Sequence, residues 1–342
     1  MPQQINIELA HDAAGLGKQG DRVTLTVVPA DMHDPEELTS YLAGYKLANM
    51  RADEVSPPIP VKNQSDKYRT FSEDDAFNDV ARKGSNNGPI PEVDPKSALE
   101  TYKTLPRVIG SFVPRNLPGR YDPINVALRR CKRAIGLNRE IEVMALVGTN
   151  TNWDSTVRTA LTSTYQWNDG SASNPIKDIM TGLEKSIQPV SDIWMNQKVA
   201  HLFIRHAEVR NHMRQMLGDE AAPKAAAAVA QAGMMPTDFF IPGLPPIHVS
   251  ALKYNAAGTL SYALGDVVVF ICRPPGVPTD GEEIASTYTF QYEGPEGNGY
   301  TVRQWTVENR GAYGGEMVSV TEEDDAVMTS TKAGGILTGV VQ

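Results

Sequence analysis

Tyr121-Asp122-Pro123-Ile124-Asn125-Val126-Ala127-Leu128-Arg129-Arg130-Cys131-Lys132-Arg133-Ala134-Ile135-Gly136-Leu137-Asn138-Arg139-Glu140-Ile141-Glu142-Val143-Met144-Ala145-Leu146-Val147-Gly148 is the clearest helical signal in the chain. Asp122 supplies a side-chain acceptor for the first free N–H groups. Pro123 has its φ fixed for the first helical position, and Gly148 stands where helices end. The pattern predicts one helix over 123–147, about 37 Å long at ~1.5 Å per residue. Ile124, Ala127, Leu128, Cys131, Ala134 and Ile135 make one apolar stripe. Arg129, Arg130, Lys132, Arg133 and Arg139 fall on the remaining arc. Gly136 and Asn138 interrupt the pattern, and Leu137, Ile141, Met144 and Ala145 continue on a displaced face, so a kink or shift is expected there.

Upstream, residues 51–120 contain nine prolines and the turn signal Asn86-Asn87-Gly88-Pro89. A compact domain rarely holds so long a segment with so little periodicity. Yet the segment keeps Tyr68, Phe71, Phe77, Leu99, Tyr102, Leu105, Val108, Ile109, Phe112 and Val113. A disordered linker lacks such side chains, so an extended arm lying on a partner surface is the better reading. The first 50 residues hold a strand signal at 23–28. A helix follows, capped by Asp34 with Pro35 at its first position.

Downstream the pattern is mixed. Asn174-Pro175 opens a helix with Ile176, Ile179, Met180, Leu183 and Ile187 on one face. Ile193-Trp194-Met195 reads as a short strand. Residues 198–217 read as one helix with Val199, Leu202, Phe203, His206, Val209, Met213 and Met216 along one side. The Ala-rich 225–232 run favours helix. Strand signals follow at 247–254, 267–272, 288–292, 300–307, 317–320 and 326–328, then a Gly-rich apolar tail at 333–341. No fixed-period repeat is present, which excludes solenoids and propellers.

With 342 residues the chain has room for two or three domains or one large one. Its 41% hydrophobic content is enough for a core, and an excess of Gly and Pro (28 and 24) implies much turn and extended chain. A net charge of −9 argues against gripping nucleic acid over a broad surface. Two cysteines, Cys131 and Cys272, exclude a disulfide framework and fit a reducing cytoplasm. No run approaches the ~18–20 apolar residues that span a bilayer, and the start lacks a signal-peptide pattern. Membrane enzymes and secreted toxins are therefore not expected.

No catalytic constellation emerges. Gly15-Leu16-Gly17-Lys18-Gln19-Gly20 matches G-x-G-x-x-G, but a strand follows it where a dinucleotide site needs a helix N-terminus. Neither a Walker phosphate loop nor G-x-S-x-G occurs. His201, His206 and His212 are five and six residues apart, the wrong spacing for a zinc pair on one helical face. Cys131 and Cys272 read as buried, inert thiols. The pair Glu282-Glu283 and the run Glu322-Glu323-Asp324-Asp325 read as solvated turns. Neither a cofactor nor a metal is expected. The basic arc has two readings, a solvated helix face or a face turned to a polyanion.

The order of elements resembles the major capsid proteins of tailed bacteriophages, the Hong Kong 97-type shell fold. An extended arm and a Pro-rich loop precede one long helix at 123–147, where that family has its spine helix. The match continues through Trp153-Asp154, Asn174-Pro175-Ile176-Lys177-Asp178-Ile179, Asp192-Ile193-Trp194-Met195 and the helical region with Leu202, Phe203 and His206. Phe239-Phe240-Ile241-Pro242-Gly243-Leu244, Ile247-His248-Val249 and Tyr262-Ala263-Leu264-Gly265-Asp266-Val267-Val268-Val269 resemble its later strands. Tyr300-Thr301-Val302-Arg303 and Ala333-Gly334-Gly335-Ile336-Leu337 resemble its close.

The resemblance implies an α+β fold divided into an N-terminal arm (1–65), an extended loop (66–120), a peripheral domain (121–149 and 273–342) and an axial domain (150–272). It implies a structural protein, not an enzyme, that is built in the host cytoplasm and resides in the virion. Hexamers and pentamers would form an icosahedral shell around double-stranded DNA. Expected partners are a separate scaffolding protein, a portal protein and a decoration protein, with no membrane. Arg129, Arg130, Lys132 and Arg133 are candidates to face DNA weakly. Tyr68, Phe71, Phe77, Tyr102 and Phe112 are candidates for inter-subunit contact, and Gly110, Gly119, Gly136 and Gly148 for hinges. An encapsulin-like compartment shell is the alternative within the fold, and a soluble α/β enzyme the alternative outside it.

Overall fold

A computed structural model of the chain describes residues 50–71, 98–116, 123–168, 172–217, 238–274, 276, 283–294 and 299–341. In chain order these form α1 (Ala52–Val55), β1 (Pro58–Val61), β2 (Ser65–Thr70), β3 (Ala98–Lys103), β4 (Leu105–Pro114) and α2 (Pro123–Gly148). Next come β5 (Arg158–Ala160), α3 (Pro175–Lys185), β6 (Asp192–Asn196), α4 (Gln197–Arg205) and α5 (Ala207–Leu217). The remaining strands are β7 (Ile247–Ser250), β8 (Lys253–Ala256), β9 (Thr259–Tyr262), β10 (Val268–Ile271), β11 (Thr287–Tyr292), β12 (Tyr300–Val307), β13 (Gly315–Met328) and β14 (Gly334–Thr338). The expected elements at 23–28, after Asp34, at 86–89 and at 225–232, and Gly15 to Gly20, Phe77, Gly119, Asp122 and Glu282, lie outside the described residues.

The first sheet is built on β13. Its residues 315–324 pair with β4 on one edge. On the other edge β12 takes 315–322 and β11 takes 324–328, so β11 and β12 lie end to end. β1 adds in parallel to β11. Residues 105–114, read as part of the extended loop, are thus a paired strand of this sheet. Among the described residues, β2 and β3 form a separate two-stranded ribbon. The two strands expected at 317–320 and 326–328 are one, because the acidic run between them is hydrogen-bonded into the sheet.

Helix α2 runs without a break through Gly136. Its buried residues are Ile124, Ala127, Leu128, Cys131, Lys132, Ile135, Arg139, Glu140, Val143, Met144 and Val147. The expected displaced stripe is therefore corrected. The buried face keeps its helical spacing, but its middle is charged, so hydrophobicity alone made it seem to shift. Ile124, Leu128, Cys131 and Ile135 pack on Val302, Val318 and Val320 of the first sheet.

The C-terminal half of α2 reaches the second sheet, ordered β5-β14-β10-β6-β7. Trp194, Val269, Ile271 and Ile336 face Val143, Met144, Val147 and Trp153 on one side. Ile193, Met195, Val268, Phe270 and Leu337 face α3, α4 and α5 on the other. Strand β10, Val-Val-Phe-Ile, is buried on both faces, as its unbroken apolar run requires. Strand β14 joins this sheet and not the strands at 287–328, so the closing segment packs with residues 150–272.

The helix expected over 198–217 is two. His206 has extended backbone (φ −63°, ψ 138°) between α4 and α5. Its Nε2 lies 2.7 Å from Ser173 Oγ, and its Nδ1 accepts from the Glu208 N–H at 3.2 Å. The imidazole therefore caps the second helix, a role that apolar periodicity does not register. The strand expected over 247–254 divides into β7 and β8, with β8 and β9 forming a separate ribbon.

Candidate functional site

Ser173 and His206 make one close polar pair among the described residues, 2.7 Å apart. No group of three or more His, Cys, Asp or Glu there is placed to hold a metal ion. No helix among them is long and apolar enough to cross a membrane. Both cysteines are buried, and burial raises their thiol pKa values, that of Cys272 to about 11. What the fold presents is two charged joints inside and an apolar sheet face outside.

The first joint lies where α2 crosses β13. Register places Val318, Val320, Glu322 and Asp324 on one face of the strand, and the first two meet the apolar turns of α2. The next pair meets Arg139 and, from β4, Arg107. Arg139 reaches Asp53 at 2.7 Å, Glu322 at 3.2 Å and Asp324 at 3.3 Å. Arg107 pairs with Asp324 and Glu142 and donates to Asn138 at 2.9 Å. The Asp324 oxygens sit at ion-pair distance but without a well-directed hydrogen bond. Burial drives the Glu322 carboxyl up, against the pull of Arg139 and Arg107. The acidic run is therefore half core, not a solvated turn. Alternation along a strand turns Glu322 and Asp324 inward and leaves Glu323 and Asp325 less covered.

This joint also revises the basic arc. Lys132 is only 5% exposed, its ammonium lies 4.8 Å over the Tyr300 ring, and burial lowers its pKa. Arg139 is likewise interior. Arg129, Arg130 and Arg133 remain exposed on one stretch of α2. Lys132, next to Arg133 in sequence, falls on the packed face.

The second joint holds residue 51. The Glu140 carboxylate accepts the backbone N–H groups of Arg51 (2.7 Å) and Ala52 (2.6 Å), fixing the start of α1 to the spine of the molecule. Burial raises the Glu140 pKa to about 7 even though these N–H donors oppose the shift. The Arg51 guanidinium pairs with Asp238 and Glu54 and stacks 4.8 Å over Trp194. His248 stacks on the same indole at 4.8 Å.

The aromatic residues expected to meet a neighbouring subunit are mostly occupied at home. Tyr102 is buried and stacks on Phe290 at 4.4 Å, and Tyr68 lies 5.4 Å from the same ring. They glue the base of the β2–β3 ribbon to the first sheet. Phe71 is half-buried and bonded through its backbone to Thr329 and Ser330. Phe112 stays half-exposed on the sheet face opposite α2, beneath Arg310. Register puts it in a cross-strand row with Met317 and Trp305, and Val108 lies on the same face. Trp305 is 46% and Val108 63% exposed, while Leu99 projects from the ribbon at 60%. Sequence reasoning noted Leu99 and Val108 as apolar but missed Trp305, whose facing follows from strand parity once the partner strand is known. Of the candidate hinges, Gly110 is paired to Ser319 within the sheet, and a Cβ there would meet the movable tip of the Met317 side chain at 2.9 Å. Gly136 is inside an unbroken helix, and Gly148 ends it.

No protein-family model matches the chain. In sequence it is 29% identical over 234 residues to the major capsid protein of Pseudomonas phage JBD67, covering 66% of this chain and 70% of that protein. In structure it is similar to a phage-related protein of Bordetella bronchiseptica RB50, with a TM-score of 0.65, 18% identity and coverage of 89% of this chain and 96% of that one. It is also similar to a protein assigned as a prophage capsid protein of E. coli CFT073, with a TM-score of 0.58, 14% identity and coverage of 90% and 99%. The class is thus set by the whole arrangement, spine helix on a long-stranded sheet and a second helix-flanked sheet: the chain has the Hong Kong 97-type capsid fold. Within that class, the sequence similarity is to a phage major capsid protein.

Proposed function

We propose that many copies of this chain assemble as hexamers and pentamers into the icosahedral head of a tailed phage, around double-stranded DNA. Its place is the virion shell, and its work is mechanical, not catalytic. The observation that carries the reading is the apolar row Phe112–Met317–Trp305 with Val108 on the free face of the first sheet. Isolated exposed apolar residues are ordinary, but a cross-strand row on one sheet face asks for a partner. In this reading the second sheet and its helices are the axial unit at the capsomer centre, and α2 with the first sheet is the peripheral unit. Arg129, Arg130 and Arg133 supply a weak, salt-sensitive contact to packaged DNA. A scaffolding protein directs assembly, a portal protein fills one vertex, and a decoration protein clamps the outside. Quasi-equivalent positions are reached by bending where α2 ends at Gly148.

Electron microscopy after sedimentation, on the chain expressed alone and with a co-expressed scaffold, tests this. Closed shells, tubes or rings of five and six subunits are expected. Shells that carry protein cargo and no DNA in infected cells would move the reading to a compartment. A monomer or dimer unchanged by concentration and scaffold would overturn it.

A further inference from the structure

His248 lies with both ring nitrogens on carboxylates. Its Nε2 is 2.8 Å from Asp192 Oδ1 on β6, and its Nδ1 is 2.8 Å from Asp238 Oδ2. Asp192 is only 2% exposed and also takes Arg273 Nε at 2.6 Å. Asp238 accepts from Arg51 through both oxygens, from His248, and from the Val249 N–H at 3.1 Å. Arg51 Nη2 itself stands 3.0 Å from His248 Nδ1. Glu54, paired to Arg51, is the remaining charged group of the cluster, and the Trp194 indole floors it.

A neutral imidazole has one N–H, and the buried Asp192 claims it on Nε2. Nδ1 is then the titrating atom. With a proton it donates to Asp238, and Arg51 keeps to the carboxylates. Without one, its lone pair faces the Asp238 oxygen directly, and the only donor left for it is Arg51. The ring therefore exchanges partners with its charge. We propose that Nδ1 of His248 is a proton switch that fastens Asp238, and through it the Arg51 root of the N-terminal segment, to the second sheet. Protonated, it closes a chain of contacts Arg51–Asp238–His248–Asp192–Arg273 that spans four separate segments. Neutral, it releases Asp238 from the ring and draws Arg51 alone. The two carboxylates hold the imidazole pKa above its ordinary value of 6.5, although burial opposes them, and they stay ionised, Asp238 with a pKa of about 2.

The sign follows from this. A raised histidine pKa gives a contact present in full below pH 6.5 and lost as pH rises through the raised value. Glu140, on the other side of residue 51, also titrates near neutrality and must be separated from it. Hydrogen exchange of the purified full-length chain, followed for peptides spanning 50–56 and 238–250 from pH 5.5 to 8.5 and corrected for intrinsic rates, reads the switch. The local opening constant is expected to rise above pH 6.5 by up to tenfold per pH unit until the imidazole is neutral in the closed form. H248Q and D238N should each flatten this profile, and E140Q should keep it. A flat wild-type profile would overturn the proposal, as would H248Q retaining the wild-type profile or E140Q abolishing it. Should H248Q and D238N fail to fold, the wild-type and E140Q profiles decide alone.

Discussion

Glu140 shows how one side chain links a sequence position to a pH response. It sits on the packed face of α2 and takes two backbone N–H groups, so it is hydrogen-bonded yet desolvated. Its folded pKa of about 7 lies above the ordinary 4.5, so the folded chain holds the proton more tightly between these values. Stability from this group is therefore greatest below pH 4.5 and falls as pH rises toward 7, by up to about 3 kcal/mol at about 1.4 per pH unit. Urea unfolding of E140Q across this range should lack that slope, while any slope above pH 6.5 from His248 should persist. Gly182 makes a steric case at the same scale. A Cβ there would stand 2.3 Å and 2.6 Å from the Phe270 ring, so α3 rests on β10 only because residue 182 has no side chain. Gly182→Ala should cost about 1–3 kcal/mol by overpacking. Adding Phe270→Leu should recover part of that, so the pair in thermal melts should be less destabilised than the two single changes added together.

At the scale of elements, legibility tracks how local the cause is. The extent of helix α2 is readable because Pro123, Gly148 and the spacing of Ile124, Leu128, Cys131 and Ile135 lie within its own sequence, whereas its buried charged middle is not. Strand β12, at 300–307, is readable for the same reason, through β-branched and aromatic residues between turn signals. The acidic run is not: four carboxylates in a row read as solvent-facing, and only Arg107 and Arg139, from distant parts of the chain, make half of them interior. The break at His206 also depends on a remote partner, Ser173. Within the extended loop, Tyr68 and Tyr102 read as contacts for a neighbour because their own-chain partner, Phe290, lies far later in the sequence. That partner makes the ribbon testable as an element. Phe290→Ala should cost about 3–5 kcal/mol and unseat the ribbon base. Limited proteolysis should then cut β2 and β3 well before the rest of the chain. Simultaneous loss of all elements would mean that ribbon and body are one cooperative unit.

At the scale of the whole molecule, the fold is legible from the order of elements along the chain. Which surfaces join copies is not, because a face is defined only after strands find their partners. Trp305 and Val108 point away from α2 on the sheet's free face, and neither is needed by the core of a single copy. A charge at either position should therefore leave the fold intact, within about 0.5 kcal/mol of the parent in denaturant unfolding. In an assembled shell the same charge would have to be buried in an apolar contact without a partner, which costs far more. Trp305→Glu and Val108→Glu are thus expected to give folded chains that sediment as small species under conditions where the parent forms shells. Leu128→Glu, by contrast, places the charge in the packed face of α2 and should prevent folding outright. Normal shells from both surface variants would remove this face from the assembly contacts and leave the exposed side chains of the second sheet's helices and ribbon, Met180, Met216 and Leu260 among them, as the surfaces that join copies.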